Sequence, residues 1–178
     1  MILKRTETRL ERYYKKSKLA KSFPIDLVAI NFMFDENLGY LVRTAACFGA
    51  RSLNVIGSIP SRKKLKKYSG SLVDFVNINQ FKNPRDFLLF CRKNKIKLVC
   101  AEIANRAVSL EDYKFDFSQR ICIVVGNEES GVPPELLEEG DIIYVPMRST
   151  GYCLNTSQTA NIVMYEAIKQ YENIEYEQ

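Results

Sequence analysis

The chain has 178 residues, 46% of them hydrophobic and 26% charged, the proportions of one ordinary globular domain with a core of its own. No apolar run approaches the roughly 20 residues of a membrane span, and the opening stretch MILKRTETRLERYYKKSKLAK lacks a signal peptide's apolar centre, so a cytoplasmic address with no membrane partner is expected. Histidine is absent, which excludes Ser-His and Cys-His nucleophiles, His-liganded zinc and imidazole acid–base work, while the net charge of +5 conceals an asymmetry taken up below.

Residues 4–20 set Leu10, Tyr13, Tyr14 and Leu19 among charges at near-helical spacing, with Pro24 closing the segment. That pattern predicts a basic helix outside the main core. DLVAINF (26–32) is a short apolar run ahead of the acidic turn Asp35-Glu36 and reads as a strand. NLGYLVRTAACFG (37–49) reads as a helix with Asn37 near its start and Gly49 just past its end. Leu38, Leu41, Val42, Ala45, Ala46 and Phe48 form its buried face. Strand-like SLNVI is followed by the basic run RKKLKK (62–67) and by VDFVNI, then a helix in PRDFLLFCRKN and a strand in KLVCAEI. Residues 104–120 have little periodicity and read as loop. ICIVVG (121–126) and DIIYVPM (141–147) are continuous buried strands, PPELLEE opens a helix between them, and IVMYEAIKQY (162–171) has helical spacing. Strands alternating with helices predict an α/β domain with a mostly parallel sheet flanked by helices. With no repeat and no low-complexity linker, the economical partition is a basic N-terminal helical extension over 1–22 and one domain over 23–178.

Residues 1–100 hold 21 Lys+Arg against 7 Asp+Glu, whereas 101–178 hold 5 against 14. The positive charge gathers in three places: the N-terminal segment with Arg9, Arg12, Lys15 and Lys16; the run that begins Arg62, Lys63, Lys64; and the stretches around Lys82, Arg85 and RKNKIK (92–97). A solvated lysine face accounts for any one of them. Three in one half point to a polyanion, because phosphate neutralisation needs many cations. The five cysteines are odd in number and never form C-x-x-C. They read as small buried hydrophobes in a reducing compartment, not as disulfides or a metal site.

Three polar clusters interrupt the apolar pattern. Asn37 and Arg43 lie six residues apart after the first core strand, GNEESG (126–131) follows ICIVV, and Cys153-Leu154-Asn155 precedes the last helix. Loops after parallel strands are where ligands bind in such sheets. GNEESG has neither the lysine of a P-loop nor the spacing of a dinucleotide fingerprint. Its glutamates can accept bonds from neutral donors or balance a cation, or the stretch is simply an acidic turn. Asn155, Thr156 and Ser157 are all N-cap types, so capping is the plainer account of the third cluster.

Taken together, NLGYLVRTAACFGA, VVGNEESGVPPELLEEGDIIYVPM and GYCLNTSQTANIVMYE resemble, in order, the three motifs of the SpoU (TrmH) RNA 2′-O-ribose methyltransferases of the SPOUT superfamily. The three stretches cover about a third of the chain. The resemblance implies a C-terminal trefoil knot, which no propensity argument would suggest, an S-adenosyl-L-methionine cofactor bound in the loops of that knot, an RNA substrate (tRNA slightly favoured over rRNA), and a homodimer with active sites at the subunit interface. It also implies that Asn37, Arg43, Glu128 and Asn155 are the catalytic polar residues, and that Gly126, Ile143, Met147, Cys153 and Leu154 fall where the cofactor loops lie. Cys153 departs from the family pattern, which has serine there. The thiol is similar in size but a weak hydrogen-bonding group, and the exchange leaves loop-shaping, impaired catalysis and a nucleophilic cysteine as open readings.

Methyl transfer to a ribose hydroxyl is an in-line displacement that first requires positioning. A guanidinium is a reluctant base, so Arg43 is read as a donor that grips an RNA phosphate and stabilises the attacking oxygen; a general-base role is the other possibility. Asn37 and Asn155 orient substrate and cofactor, and Glu128 orients Arg43 or Asn37. The alternative from another class is a catalytically silent RNA-binding module with the same fold, for which Cys153 is the only argument.

Overall fold

A computed structural model describes residues 7–176. Alternation along the first strand, β1 (Phe23–Ile30), sorts the core into two layers. Ile25, Leu27 and Ala29 point to one side of the sheet, and Val28 and Ile30 to the other. Helices cover both sides, so β1 is apolar on both faces, as buried parallel strands are.

The first side carries α2 (Asp35–Phe48), α3 (Arg62–Ser69) and α6 (Thr156–Tyr176). Leu38, Leu41, Val42 and Ala45 of α2 meet Leu65 of α3 and Ala160, Val163, Met164 and Ala167 of α6 there. The opposite side carries α4 (Pro84–Lys93) and α5 (Pro134–Glu139) through Phe87, Leu88, Cys91 and Leu136. The other strands are β2 (Ala50–Ile56), β3 (Ile78–Phe81), β4 (Ile96–Ala101), β5 (Val108–Ser109), β6 (Arg120–Val125) and β7 (Asp141–Tyr144). All seven form one sheet in the order β3-β2-β1-β6-β4-β7-β5, and every ladder among the described residues is parallel.

This is the mostly parallel, helix-flanked α/β sheet expected from the alternation of elements, with local differences. The basic N-terminal helix α1 spans Arg9–Ser17 and buries none of its residues; the start of the expected segment lies outside the described residues. It opens on a Thr8–Glu11 capping box. Pro24 does not close that segment but sits second in β1, where it disturbs the register with β2. VDFVNI forms a 3₁₀ turn over Leu72–Phe75, and the strand comes after it at Ile78–Phe81. Of the stretch 104–120, read from sequence as loop, residues Val108–Ser109 form the short β5 and Arg120 opens β6, and the rest runs as loop. Gln170 of α6 holds this loop, accepting from the Phe115 N–H and donating to the Tyr113 carbonyl. The last helix begins at Thr156, one turn and more before the apolar spacing that announced it.

Among the described residues, one charged group penetrates the core. Asp26, fully buried in β1, receives a two-pronged bond from Arg120 at the start of β6 and a 2.6 Å bond from the Ser52 hydroxyl of β2. This cluster marks the end of the sheet opposite the site described next.

Candidate active site

The strand order reverses between β1 and β6. From β1 the chain proceeds outward to β2, and from β6 it proceeds the other way to β7 beyond β4. Loops leaving the carboxyl ends of β1 and β6 therefore diverge, and a crevice opens between them. All three polar clusters of the sequence meet there.

The loop after β6 is pinned by its own glycines. Asn127 and Gly131 form an antiparallel bridge. A Cβ on Gly126 would lie 2.3 Å from the Gly131 carbonyl carbon, and Gly131 adopts φ +67, so both positions exclude side chains. Asn127 accepts from the Glu129 and Ser130 N–H groups and donates to the Asn31 carbonyl. Glu128 is thereby held facing the start of α2. One of its oxygens accepts from Asn37 Nδ2 at 2.5 Å and the other from the Met33 N–H at 2.9 Å. Glu128 thus orients Asn37; of the two roles open to it from sequence, the contact with Arg43 is not made.

Asn155 completes the chain of bonds. It is the N-cap of α6: its carbonyl oxygen accepts the Thr159 N–H at 2.9 Å, and its side-chain Oδ1 accepts the Ser157 N–H at 2.9 Å and the Ser157 hydroxyl at 2.7 Å. With Oδ1 committed to donors, the Asn155 amide nitrogen faces Asn37 and donates to its Oδ1 at 3.1 Å. Asn37 then turns its own nitrogen to the carboxylate. A backbone N–H at one end and a carboxylate at the other determine both amide orientations. Capping and site-building are one function of Asn155, which answers the question that its surroundings raise in sequence.

This amide pair is the wall between two adjoining cavities. The larger, about 660 Å³, is lined by Gly126, Ile143, Met147, Cys153 and Leu154, the five residues placed in cofactor loops, with Glu102, Glu128 and Tyr152 among the rest. Glu102, at the end of β4, is a member that the sequence reading missed. Its carboxylate accepts the Ile103 and Val132 N–H groups, each at 2.9 Å, and a Cβ on Gly131 would stand 2.4 Å from its Oε2. The smaller cavity, about 420 Å³, shares Asn37 and Asn155 and adds Tyr40, Arg43, Thr44, Cys47, Gln158 and Asn161 from α2 and α6. Arg43 therefore stands across the wall from the larger cavity.

The cysteines divide in a way composition could not show. Cys91, Cys100 and Cys122 are buried as expected, and burial pushes the first two thiols up to about 12 and the third well above its usual range. Cys47 and Cys153 are exposed, contrary to the expectation of a buried set, because each sits on a cavity lip. Cys153 takes no part in the amide chain. Among the described residues no cluster of three or more His, Cys, Asp or Glu side chains suits a metal ion, and no helix is long and apolar enough to cross a membrane.

The basic residues divide too. Arg62 and Lys66 pair with Asp74, Lys64 with Asp35, and Lys15 with Glu7. Arg9, Arg12, Lys16, Lys63 and Arg43 make no ion pair among the described residues. The α1 and α3 clusters share the α2–α6 side of the sheet with Arg43, whereas α4 lies on the other side, where Arg92 pairs with Glu139. Lys97, on the Val99 face of β4, pairs with Asp141.

A parallel sheet with a glycine-pinned carboxylate loop and an amide wall at its switch point defines a ligand-binding α/β domain. Comparison with known proteins is specific: residues 24–165 match the SpoU rRNA Methylase family, and the chain belongs to it. It is 28% identical over 151 residues to the 23S rRNA (guanosine-2′-O-)-methyltransferase RlmB of Acinetobacter baylyi, covering 81% of this chain and 59% of that protein. It is also 28% identical over 146 residues to the tRNA (guanosine(18)-2′-O)-methyltransferase of Aquifex aeolicus, covering 81% and 68% respectively. The crystal structure of an AdoMet-bound rRNA methyltransferase from Sinorhizobium meliloti superposes with a TM-score of 0.76 at 22% identity, over 84% of this chain and 57% of that one. The chain thus spans little more than half the length of two of the three.

Proposed function

We propose that this chain transfers the methyl group of S-adenosyl-L-methionine to a ribose 2′-hydroxyl of RNA, with tRNA favoured over rRNA, and does so in the cytoplasm. The observation that carries the reading is the bond chain Asn155–Asn37–Glu128 standing between two cavities, with Arg43 in the second. The larger cavity fits the cofactor in size and chemistry. About 660 Å³ lies within the usual range for such ligands, Ile143, Met147 and Leu154 offer apolar surface to a purine, and Glu102 and Glu128 favour a cation. When bound, the cofactor supplies an electrophilic methyl group on a sulfonium.

The protein's own residues then have separable tasks. Gly126 and the 143–147 and 153–154 segments hold the cofactor, largely through backbone groups. Asn37, both amide atoms engaged, keeps the wall in place, and Asn155 presents its remaining N–H at the boundary of the two cavities. Arg43 donates to the attacking oxygen and to a phosphate. The basic extension over residues 1–22 guides RNA to this side of the domain at 23–178. Cys153 shapes the lip of the cofactor cavity, a task that needs no hydroxyl, so the reading of a catalytically silent module loses its only argument. The trefoil knot belongs to the same proposal. It is supported by the way the chain after β7 returns beside β6, where the Thr156 hydroxyl donates to the Gly126 carbonyl at 3.1 Å and Asn155 reaches Asn37.

Incubation with labelled S-adenosylmethionine and total RNA, followed by mapping of the methylated ribose, tests the activity; unlabelled RNA removes the proposal. Binding is tested separately. At 100 times its dissociation constant, S-adenosylhomocysteine should stabilise the fold by about 2.7 kcal/mol, roughly 5–10 °C in melting temperature for a chain of this size, and NAD or ATP should not.

A C2 homodimer is the expected assembly. Tyr40 of α2 and Ile162 and Tyr165 of α6 are 45%, 39% and 62% exposed beside the smaller cavity, an apolar rim that a second copy would cover while completing the Arg43 side. Sedimentation should give twice the 20.5 kDa chain mass at micromolar concentration. A fully active monomer would contradict this assembly.

A further inference from the structure

Beyond α3, the chain turns at Gly70, which caps the helix with φ +66. A Cβ built on Gly70 would lie 3.0 Å from Arg43 Nη1, 3.8 Å from Arg9 Nη1 and 3.8 Å from the Tyr13 hydroxyl. Three donors from two helices, α1 and α2, therefore converge on one backbone point of the turn after α3. No more than about 7 Å separates the two guanidinium nitrogens, a span that two charge-assisted bonds of ~2.8 Å close across a single phosphate. Neither arginine has a carboxylate partner among the described residues, although Arg62, Lys64 and Lys66 nearby all do. Two unpaired cations held this close repel one another until an anion lies between them.

Their approach is built into the packing. Tyr13 and Tyr14 of α1 meet Phe75 edge-on, with centroids 5.9 and 5.3 Å away, so α1 is docked with Arg9 facing Gly70. Gly39 lets α3 come against α2, because a Cβ there would stand 2.4 Å from Tyr68 Cβ. The Gly70 N–H itself is spent on the Lys66 carbonyl, which leaves the side chains as the donors.

We propose that Arg9, Arg43 and Tyr13 hold one RNA phosphate at Gly70, so that the N-terminal helix supplies part of the active site instead of acting only as a tether. The inference rests on RNA being the substrate. It assigns Arg43 a shared duty: the phosphate gripped with Arg9 places the neighbouring ribose against the Asn37–Asn155 wall. Arg9 becomes a positioning residue whose loss lowers turnover as well as affinity.

The test is a double-mutant cycle in the full chain, using unfractionated tRNA as the probe at several salt concentrations. Arg9→Ala and Arg43→Ala should each weaken binding by roughly tenfold, and the double variant by little more than either, because the second arginine cannot hold the phosphate alone. Each variant, single or double, should lose the same single contact from the salt slope, about 0.7–0.9. At saturating tRNA, Arg9→Ala should also lower turnover at least tenfold, whereas Lys16→Ala on the same helix should alter only KM. Melting temperatures within 2 °C of the parent, and Tyr13→Phe with a milder form of the same defect, exclude misfolding as the cause. Losses that multiply in the double variant, with two contacts gone from the slope, would overturn the shared site. Failure of the parent chain to bind tRNA with any salt dependence would instead remove the RNA reading beneath it.

Discussion

Arg43→Ala should lower turnover by about 10²–10³-fold at saturating RNA and cofactor, the loss expected when a preorganised donor to a developing oxyanion is removed, while leaving the affinity for S-adenosylhomocysteine within two-fold. The two effects separate because Arg43 lines the smaller cavity and Gly126, Ile143, Met147 and Leu154 the larger one. Arg43 is exposed and takes no part in the bonds that hold Asn37 and Asn155 in place, so its loss leaves the larger cavity intact. Single-turnover rates, compared with equilibrium binding of the homocysteine product, make the measurement. Arg43→Lys distinguishes the chemistry. A donor role predicts partial recovery with an unchanged pH profile, since an ammonium still carries positive charge but cannot fork between phosphate and ribose. A base role predicts a profile displaced toward the lysine's own titration. Loss of cofactor affinity equal to the loss of turnover would show that the two cavities are one.

The largest effect on stability should come from the other end of the sheet. Asp26→Ala removes the only carboxylate that Arg120 contacts among the described residues and leaves that guanidinium, whose side chain is 18% exposed, together with the buried Ser52 hydroxyl, without a partner among those residues. Breaking a buried pair from one side costs about 3–5 kcal/mol, and the slight exposure of Arg120 puts the expected value near the lower limit. A fall in the urea midpoint with an unchanged m-value measures it. The ligand-binding end should be indifferent. Asp26 pairs with Ser52 and Cys122 in the first half of the ladders, while the crevice opens beyond Ile30 and Val125, so S-adenosylhomocysteine should bind the folded fraction with unaltered affinity.

What sequence reveals of this chain follows the range of the interactions. Helix α2 is legible because its period of apolar residues and Gly49 are local, and Gly49 does cap it in the left-handed region at φ +70. Strands β4, β6 and β7 are legible because both faces are buried. Helix α3 is not: over Arg62–Ser69 it buries only Leu65 and Ser69, and its helicity comes from the Ser61 cap and from packing on α2. Asp26 shows the same limit from the opposite direction, since a carboxylate in an apolar run explains itself only through Arg120, 94 positions away. In the site, the three motifs announced Asn37, Glu128 and Asn155, yet their order along one hydrogen-bond chain depends on contacts spanning 91 and 118 residues. Glu102 carried no local signal at all, and Arg9 was one cation among many until Tyr13 and Tyr14 docked it.

The division of basic residues between the two sides of the sheet has a kinetic consequence. On the α4 side, Lys82, Arg85, Arg92, Lys93 and Lys95 are set against Asp86 and the three glutamates of α5, so the field there largely cancels. On the α2–α3 side the cations of α1 and α3 outnumber their carboxylates. A polyanion approaching from any direction therefore feels a torque before it feels a contact, and the protein turns its α1–α3 face toward the strand while still a Debye length away. Productive encounters become a larger share of all collisions, and the gain is greatest in dilute salt. Charge reversal on the remote α4 face, at residues that touch nothing in the site, should on this account alter the association rate and leave the dissociation rate as it was.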